Sequence, residues 1–330
     1  MVLLYHTFGI CQVFFIAETG VLPYILMGGK MVYYFLAVMA VFFWSFNAVV
    51  GRDLIYILTP WQIAFFRWFI AFILLIPSTW RDIWNHRRLL WQHRKLVFWQ
   101  ALIGITLSNT FVYIASYSVT AIQMSLISVT GPMFLILFSV LFSGLKITGR
   151  QKMGFLVTAV GLVAVVLKGH FDWEALDFQW GDLWMLAMAG TFGFYSFLNT
   201  KKPKILKQIT LLSLVIFLGM LMCIPPFICE TIKSPLTMAH LSPRIIGIMI
   251  YMGVCNSVLA YLFWNLAIVK KGTVRVGMLY YLMPIFTTVE ACLLLGEHLV
   301  IAQVYGGILI LGGILLTNWK AKHNLRIERT

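Results

Sequence analysis

GPMFLILFSVLFSG, residues 131–144, and MPIFTTVEACLLLG, residues 283–296, decide the fold. Each opens with a proline at its second position, runs on in apolar residues and stops at a glycine. Laid over one another they set a constant shift of 152 residues, which carries residues 113–168 onto 265–320 without a gap. Pro132 falls on Pro284, Gly144 on Gly296, Gln151 on Gln303, Gly154 on Gly306 and Gly161 on Gly313. Identity is nine positions in 56, too low to argue from. The matched residues are those that backbone geometry selects: a helix proline, a turn glycine and two glycines that let helices approach closely. The chain holds an internal repeat of apolar helices.

Working outward, the whole chain shares that character. Of 330 residues, 61% are hydrophobic and 11% charged, and the mean hydropathy is +0.90. That is more apolar surface than a soluble core can hide, so lipid is the solvent and soluble fold classes drop out. A bilayer core of roughly 30 Å needs about 20 apolar residues per helix, and such runs recur. They predict helices near 31–50, 61–79, 96–115, 121–142, 152–168, 181–199, 210–229, 245–268, 273–294 and 300–318. The expected fold is an all-α membrane protein of ten transmembrane helices, with short connections and no separate soluble domain.

The net charge of +14 could suggest nucleic acid, but the Lys and Arg sit in breaks between apolar runs rather than on one face. Membrane topology explains them instead. With residue 30 on the cytoplasmic side, twenty Lys and Arg fall in cytoplasmic breaks. Four, Arg52, Lys168, Lys233 and Arg244, fall on the other side with the acidic cluster Asp172, Glu174, Asp177 and Asp182. Both termini are therefore expected in the cytoplasm, with the chain in the inner (plasma) membrane. Five spans per half is an odd number, so the second half enters from the opposite side and the repeat is inverted. The turn at Gly144 accordingly carries Lys146, Arg150 and Lys152, while the turn at Gly296 carries Glu297 and His298.

The expected domains are two five-helix repeats, residues 31–168 and 180–319, flanked by a stretch 1–30 and a basic cytoplasmic tail 320–330. Residues 1–30 lack the basic start of a signal peptide, and Glu18 interrupts their apolar run. They read as an over-long start or a tail, with an eleventh helix as the alternative. The five cysteines lack metal-ligand spacing and read as small core hydrophobes. No cofactor or metal site is expected.

The residues resemble the EamA branch of the drug/metabolite transporter superfamily. The likeness covers residues 31–319 and rests on W-S-F-N at Trp44–Asn47, F-F-R-W at Phe65–Trp68, A-I-Q-M-S-L-I-S-V-T-G-P at Ala121–Pro132 and L-L-G-E-H at Leu294–His298. The family usually has an acidic residue after the turn glycine in both halves; here Leu145 stands where Glu297 stands in the second, so no role is carried to it. The resemblance implies a secondary carrier, an exporter or exchanger of solutes such as amino acids, nucleotide-like metabolites, sugars or drugs.

Among candidate site residues Arg67 is the sharpest, because an arginine within a span costs about 2.5–3.5 kcal/mol unless it meets a partner or water. It reads as a bidentate clamp for a carboxylate or phosphate, or else as a structural ion pair or a side chain snorkelling to the outer interface. Glu290, whose repeat equivalent is Phe138, is a candidate coupling or gating carboxylate; the other readings are a pair with Arg67 or a wet carboxylate near the interface. Polar and aromatic residues gather toward mid-membrane: Trp44, Asn47, Asn109, Tyr113, Tyr195, Asn256, Tyr261, Trp264, Tyr280 and Tyr281. They read singly as helix–helix hydrogen bonding and together as the lining of a substrate cavity. Pro132 and Pro284 are expected to kink their helices, either freeing carbonyls for substrate or only for packing.

The function expected is alternating-access transport of a small organic solute, with a coupling proton or counter-substrate as partner, by a monomer or homodimer. A membrane-embedded enzyme on a lipid or isoprenoid substrate is the competing class; it needs clustered His, Asp or Glu, and the seven histidines form no such motif. No loop is large enough for a receptor or scaffold.

Overall fold

The computed structural model describes residues 31–144, 148–167, 179–203, 205–237, 242–271 and 276–318. The stretch 1–30, the tail 320–330, Leu145, Lys146 and the acidic residues Asp172, Glu174 and Asp177 lie outside them. The chain is all-helical there: α1 Val32–Leu54, α2 Pro60–Asn85, α3 Arg94–Ala115, α4 Ala121–Ser143, α5 Gly149–Val166, α6 Trp180–Thr200, α7 Gln208–Lys233, α8 Pro243–Ile268, α9 Met278–Leu295 and α10 Ile301–Asn318. Eight of these are long and apolar enough to cross a membrane; in α10 the stretch Ile301–Thr317 is a shorter apolar helix, and α6 is less apolar than the eight. The protein is a multi-pass membrane protein.

Local chemistry sets the starts. Thr59 and Gln62 close a capping box before α2, with Pro60 where a helix tolerates proline best. Thr148 and Gln151 do the same for α5, Gln151 accepting from the Thr148 backbone N–H at 2.8 Å. Gln303 accepts from Val300 N–H at 3.1 Å ahead of α10, so the glutamine match in the sequence records a shared helix start. The turn glycines match in conformation too: φ is +66° at Gly144 and +64° at Gly296, a region that glycine enters at low cost.

The register extends further than the sequence showed. A π-helical segment spans Gln100–Leu107 in α3 and another spans Met252–Leu259 in α8, again 152 residues apart. Their wide turns take side-chain bonds five residues back, from Thr106 to Ala101 O (3.2 Å), Asn109 to Gly104 O (3.3 Å) and Ser257 to Met252 O (3.0 Å). A periodicity near 3.6 does not reveal such insertions.

Packing reveals how the halves relate. In the α5–α10 contact a Cβ on Gly161 would lie 2.7 Å from Gly306 O, and one on Gly306 would lie 2.8 Å from Gly161 O. The same reciprocity holds for Gly154 and Gly313, at 2.5 and 2.6 Å. Numbers rise along α5 as they fall along α10, so these helices run antiparallel. Because 154 maps on 306 and 161 on 313, each contact is the image of the other. Other contacts pair likewise: α1 packs on α8 and α9 as α6 packs on α3 and α4, and α2 meets the π segment of α8 as α7 meets that of α3. The first helix of each half has crossed into the other, giving two groups, α3–α4–α6 and α8–α9–α1.

The prolines end differently from a simple kink. α4 stops at Ser128 and resumes at Gly131, with Pro132 in the first turn of the second segment. Pro284 sits likewise at the head of the α-helical part of α9, after a 3-10 turn at Met278–Leu282. The carbonyls at the α4 break are taken by neighbouring hydroxyls, Ser128 to Ser125 O and Thr130 to Ile127 O, both at 2.7 Å. Pro77 in α2 and Pro225 and Pro226 in α7 lie inside helices that continue past the expected ends at 79 and 229, to Asn85 and Lys233.

Candidate functional site

Eleven candidate binding residues fall into two places. The first is a buried cluster around Arg67, whose side chain is 0% exposed. Its Nε donates to Ser257 Oγ at 2.5 Å; one terminal nitrogen reaches Asn47 Oδ1 and Asn109 Oδ1 at 2.9 Å and Tyr113 OH at 2.8 Å, and the other reaches Asn256 O at 3.4 Å. Tyr113 OH also donates to Asn47 Oδ1 at 3.1 Å, and the guanidinium lies 4.8 Å from the Trp68 ring centroid. Neutral acceptors and an aromatic face replace the counter-anion that a buried cation ordinarily needs. Among the described residues Arg67 has no carboxylate within ion-pair distance, and it does not snorkel. The cluster joins α1, α2, α3 and α8, and thus ties one helix group to the other.

That end of the molecule is laced further. Arg52 donates to Ser116 O at 2.5 Å, Arg244 pairs with Asp53 at 2.7 Å, and Gln123 donates to Asp182 at 2.7 Å. Glu297 accepts the free N–H groups of Ala121 and Ile122 at 2.9 and 3.2 Å, a carboxylate on the positive end of α4.

The second place is a cavity of about 320 Å³ between the two helix groups. Trp44, Tyr195, Tyr261, Trp264, Tyr280 and Tyr281 line it, so six of the eleven candidates come together here. Trp44 is the hub of its aromatic wall, with ring centroids 5.3 Å from Tyr261, 5.4 Å from Trp264, 6.1 Å from Tyr280 and 6.2 Å from Phe192. Its indole N–H donates to Asn256 O at 3.1 Å, the carbonyl that Arg67 also uses. The cavity floor thus backs onto the Arg67 cluster. Its walls run past Asn199, Thr200, Ile268 and Gly277, toward Lys201, Lys202, Lys270 and Lys271.

Asn47, Arg67, Asn109, Tyr113 and Asn256 are not among the lining residues. Glu290 is apart from both places. It is 8% exposed, receives a 2.9 Å hydrogen bond from Ser45 Oγ on Oε1, and has no partner on Oε2. Sequence reading passed over Ser45 and, in the cavity, Asn199 and Asn265. Asn265 had a signal: it follows Tyr261 by four residues, one turn on the same helix face. The cysteines are unpaired among the described residues: Cys223 is buried, Cys255 half-buried, and Cys229 and Cys292 are exposed rather than in the core.

Paired helical groups exchanging their first helices around a central cavity define a class of membrane carriers with duplicated halves. The chain matches the EamA-like transporter family over residues 31–167 and again over 179–319, and it belongs to that family. An uncharacterized transporter of Archaeoglobus fulgidus is 26% identical over 272 residues, covering 80% of this chain and 89% of that protein. A protein of Escherichia coli K12 named "Probable amino-acid metabolite efflux pump" is 25% identical over 188 residues, 56% of this chain and 62% of its own length. A solved crystal structure shares the fold at a TM-score of 0.59 and 16% identity, covering 91% of this chain and 99% of that one.

Proposed function

We propose that the chain is a secondary transporter, an exporter or exchanger of small organic metabolites, working by alternating access between the groups α3–α4–α6 and α8–α9–α1. One observation carries the reading: the cavity between the groups reaches one end, while the Arg67 cluster bolts them together at the other. In the opposite state the bolt opens and the walls around Asn199 and Gly277 meet. Among the described residues twelve Lys and Arg lie on the cavity's side, against Arg52, Lys233 and Arg244 at the other end, which supports a cytoplasmic placement of the cavity's end in a plasma membrane. Exposed Trp80, Trp84 and Trp91 with Arg87 and Arg94 over the last two rings form an interfacial belt there. The repeats are residues 31–168 and 180–319, and each moving group takes its first helix from the other repeat. Trp44, Tyr195, Tyr261, Trp264, Tyr280 and Tyr281 bind solute; Arg67, Asn47, Asn109, Tyr113 and Asn256 act as the latch; Glu290, a carboxyl group without a cationic partner, binds a coupling proton. No covalent step is assigned.

The test is counterflow in proteoliposomes loaded with a metabolite mixture, repeated with Tyr261→Ala and with Glu290→Gln. Uptake against a loaded solute, lost in Tyr261→Ala and stripped of its pH dependence in Glu290→Gln, supports the reading. If no solute crosses, the carrier reading fails. If both variants match the parent, the residue roles fail.

A further inference from the structure

The cavity's chemistry narrows what it holds, given the carrier reading that makes it a solute site. None of its lining residues is Asp, Glu, Lys or Arg. Arg67, behind the cavity floor, is spent on protein acceptors. A carboxylate, phosphate or ammonium here would lose its water and gain no ion partner, a heavy cost in low dielectric. The wall offers aromatic faces and edges around Trp44 instead, which suit a flat π-system. A volume of about 320 Å³ lies at the small end for ligand pockets and fits one ring or two fused rings.

Asn265 supplies the polar anchor. It is 6% exposed, lines the cavity, and its Nδ2 has no acceptor in the protein. A buried amide N–H without a partner is costly, and most such groups are satisfied. We propose that the cavity takes an uncharged planar heteroaromatic ring whose carbonyl oxygen or ring nitrogen accepts a hydrogen bond from Asn265 Nδ2, the amide turning to bring this buried atom to the cavity. Asn265 is then a specificity-determining residue, and solutes carrying a full charge on the ring are poor ligands.

Isothermal titration of the full chain in detergent with indole and 7-azaindole isolates this point, because they share one shape and differ by a ring-nitrogen acceptor. The expected result is binding of both, 7-azaindole about fivefold more tightly, the effect of one neutral hydrogen bond. In Asn265→Leu the preference disappears while indole still binds, and indole-3-carboxylate binds more weakly than indole to the parent. Equal affinities in the parent, a preference that survives Asn265→Leu, or tighter binding of the carboxylate overturns the proposal. The comparison within the parent needs no variant to fold. If these rings are ignored while metabolites cross proteoliposomes, the proposal falls and the carrier reading stands; if they bind as expected and nothing crosses, the reverse holds.

Discussion

The two ends of the central interface are built from the same helices and treat polar groups in opposite ways. α1 gives Asn47 to the Arg67 cluster and Trp44, three residues earlier, to the cavity; α8 gives Ser257 to the first and Asn265 to the second. At the Arg67 end the cation is taken up by side-chain and backbone acceptors, while the Asn256 side-chain amide and the Trp68 indole N–H beside it have no partner. At the cavity end the buried Asn265 Nδ2 is left without an acceptor in the protein. A cation held by several acceptors ties helices together, whereas an amide in a cavity wall is placed to meet a solute.

Substitutions that separate these two roles sharpen this contrast. The largest effect belongs to Arg67→Ala, which strands the oxygens of Asn47, Asn109, Tyr113 and Ser257 and should lower stability by roughly 3–5 kcal/mol. Thermal unfolding in detergent measures it, and an unchanged melting temperature breaks the latch assignment. Gly161→Ala comes next, at about 1–3 kcal/mol, because its Cβ would stand 2.7 Å from Gly306 O and the α5–α10 contact must open. Glu297→Gln keeps an acceptor but removes the charge at the head of α4, a loss of about 0.3–1 kcal/mol in the same measurement. Smallest of all is Asn265→Leu. Removing an unpartnered buried donor should leave the melting temperature where it was or raise it slightly, while solute binding changes. A large loss there would show that Asn265 holds the fold.

Much of this architecture could be read from residues alone, because membrane helices advertise themselves in apolar length and the repeat in proline and glycine. Pro132 and Pro284, Gly144 and Gly296 set the register, while Gln151 and Gln303 matched without revealing that each closes a helix start. The π segments were hidden, since inserting one residue in a turn leaves composition and hydropathy untouched. So was the division of the site. Asn109 and Tyr261 look alike in a list of mid-membrane polar residues, and only coordinates tell that one faces Arg67 and the other a cavity. Arg67 was legible as an inward-pointing cation, but its neutral partners lie on three other helices far apart in sequence.

The glycine contact between α5 and α10 carries a final implication. Gly154 meets Gly313, the counterpart of Gly161, and Gly161 meets Gly306, the counterpart of Gly154. It is an isologous interface drawn inside a single polypeptide, of the kind two identical subunits share across a two-fold axis. A chain of half this length, inserted in both orientations, would present the same glycines to its own copy, so one polypeptide here has the seam of an antiparallel homodimer.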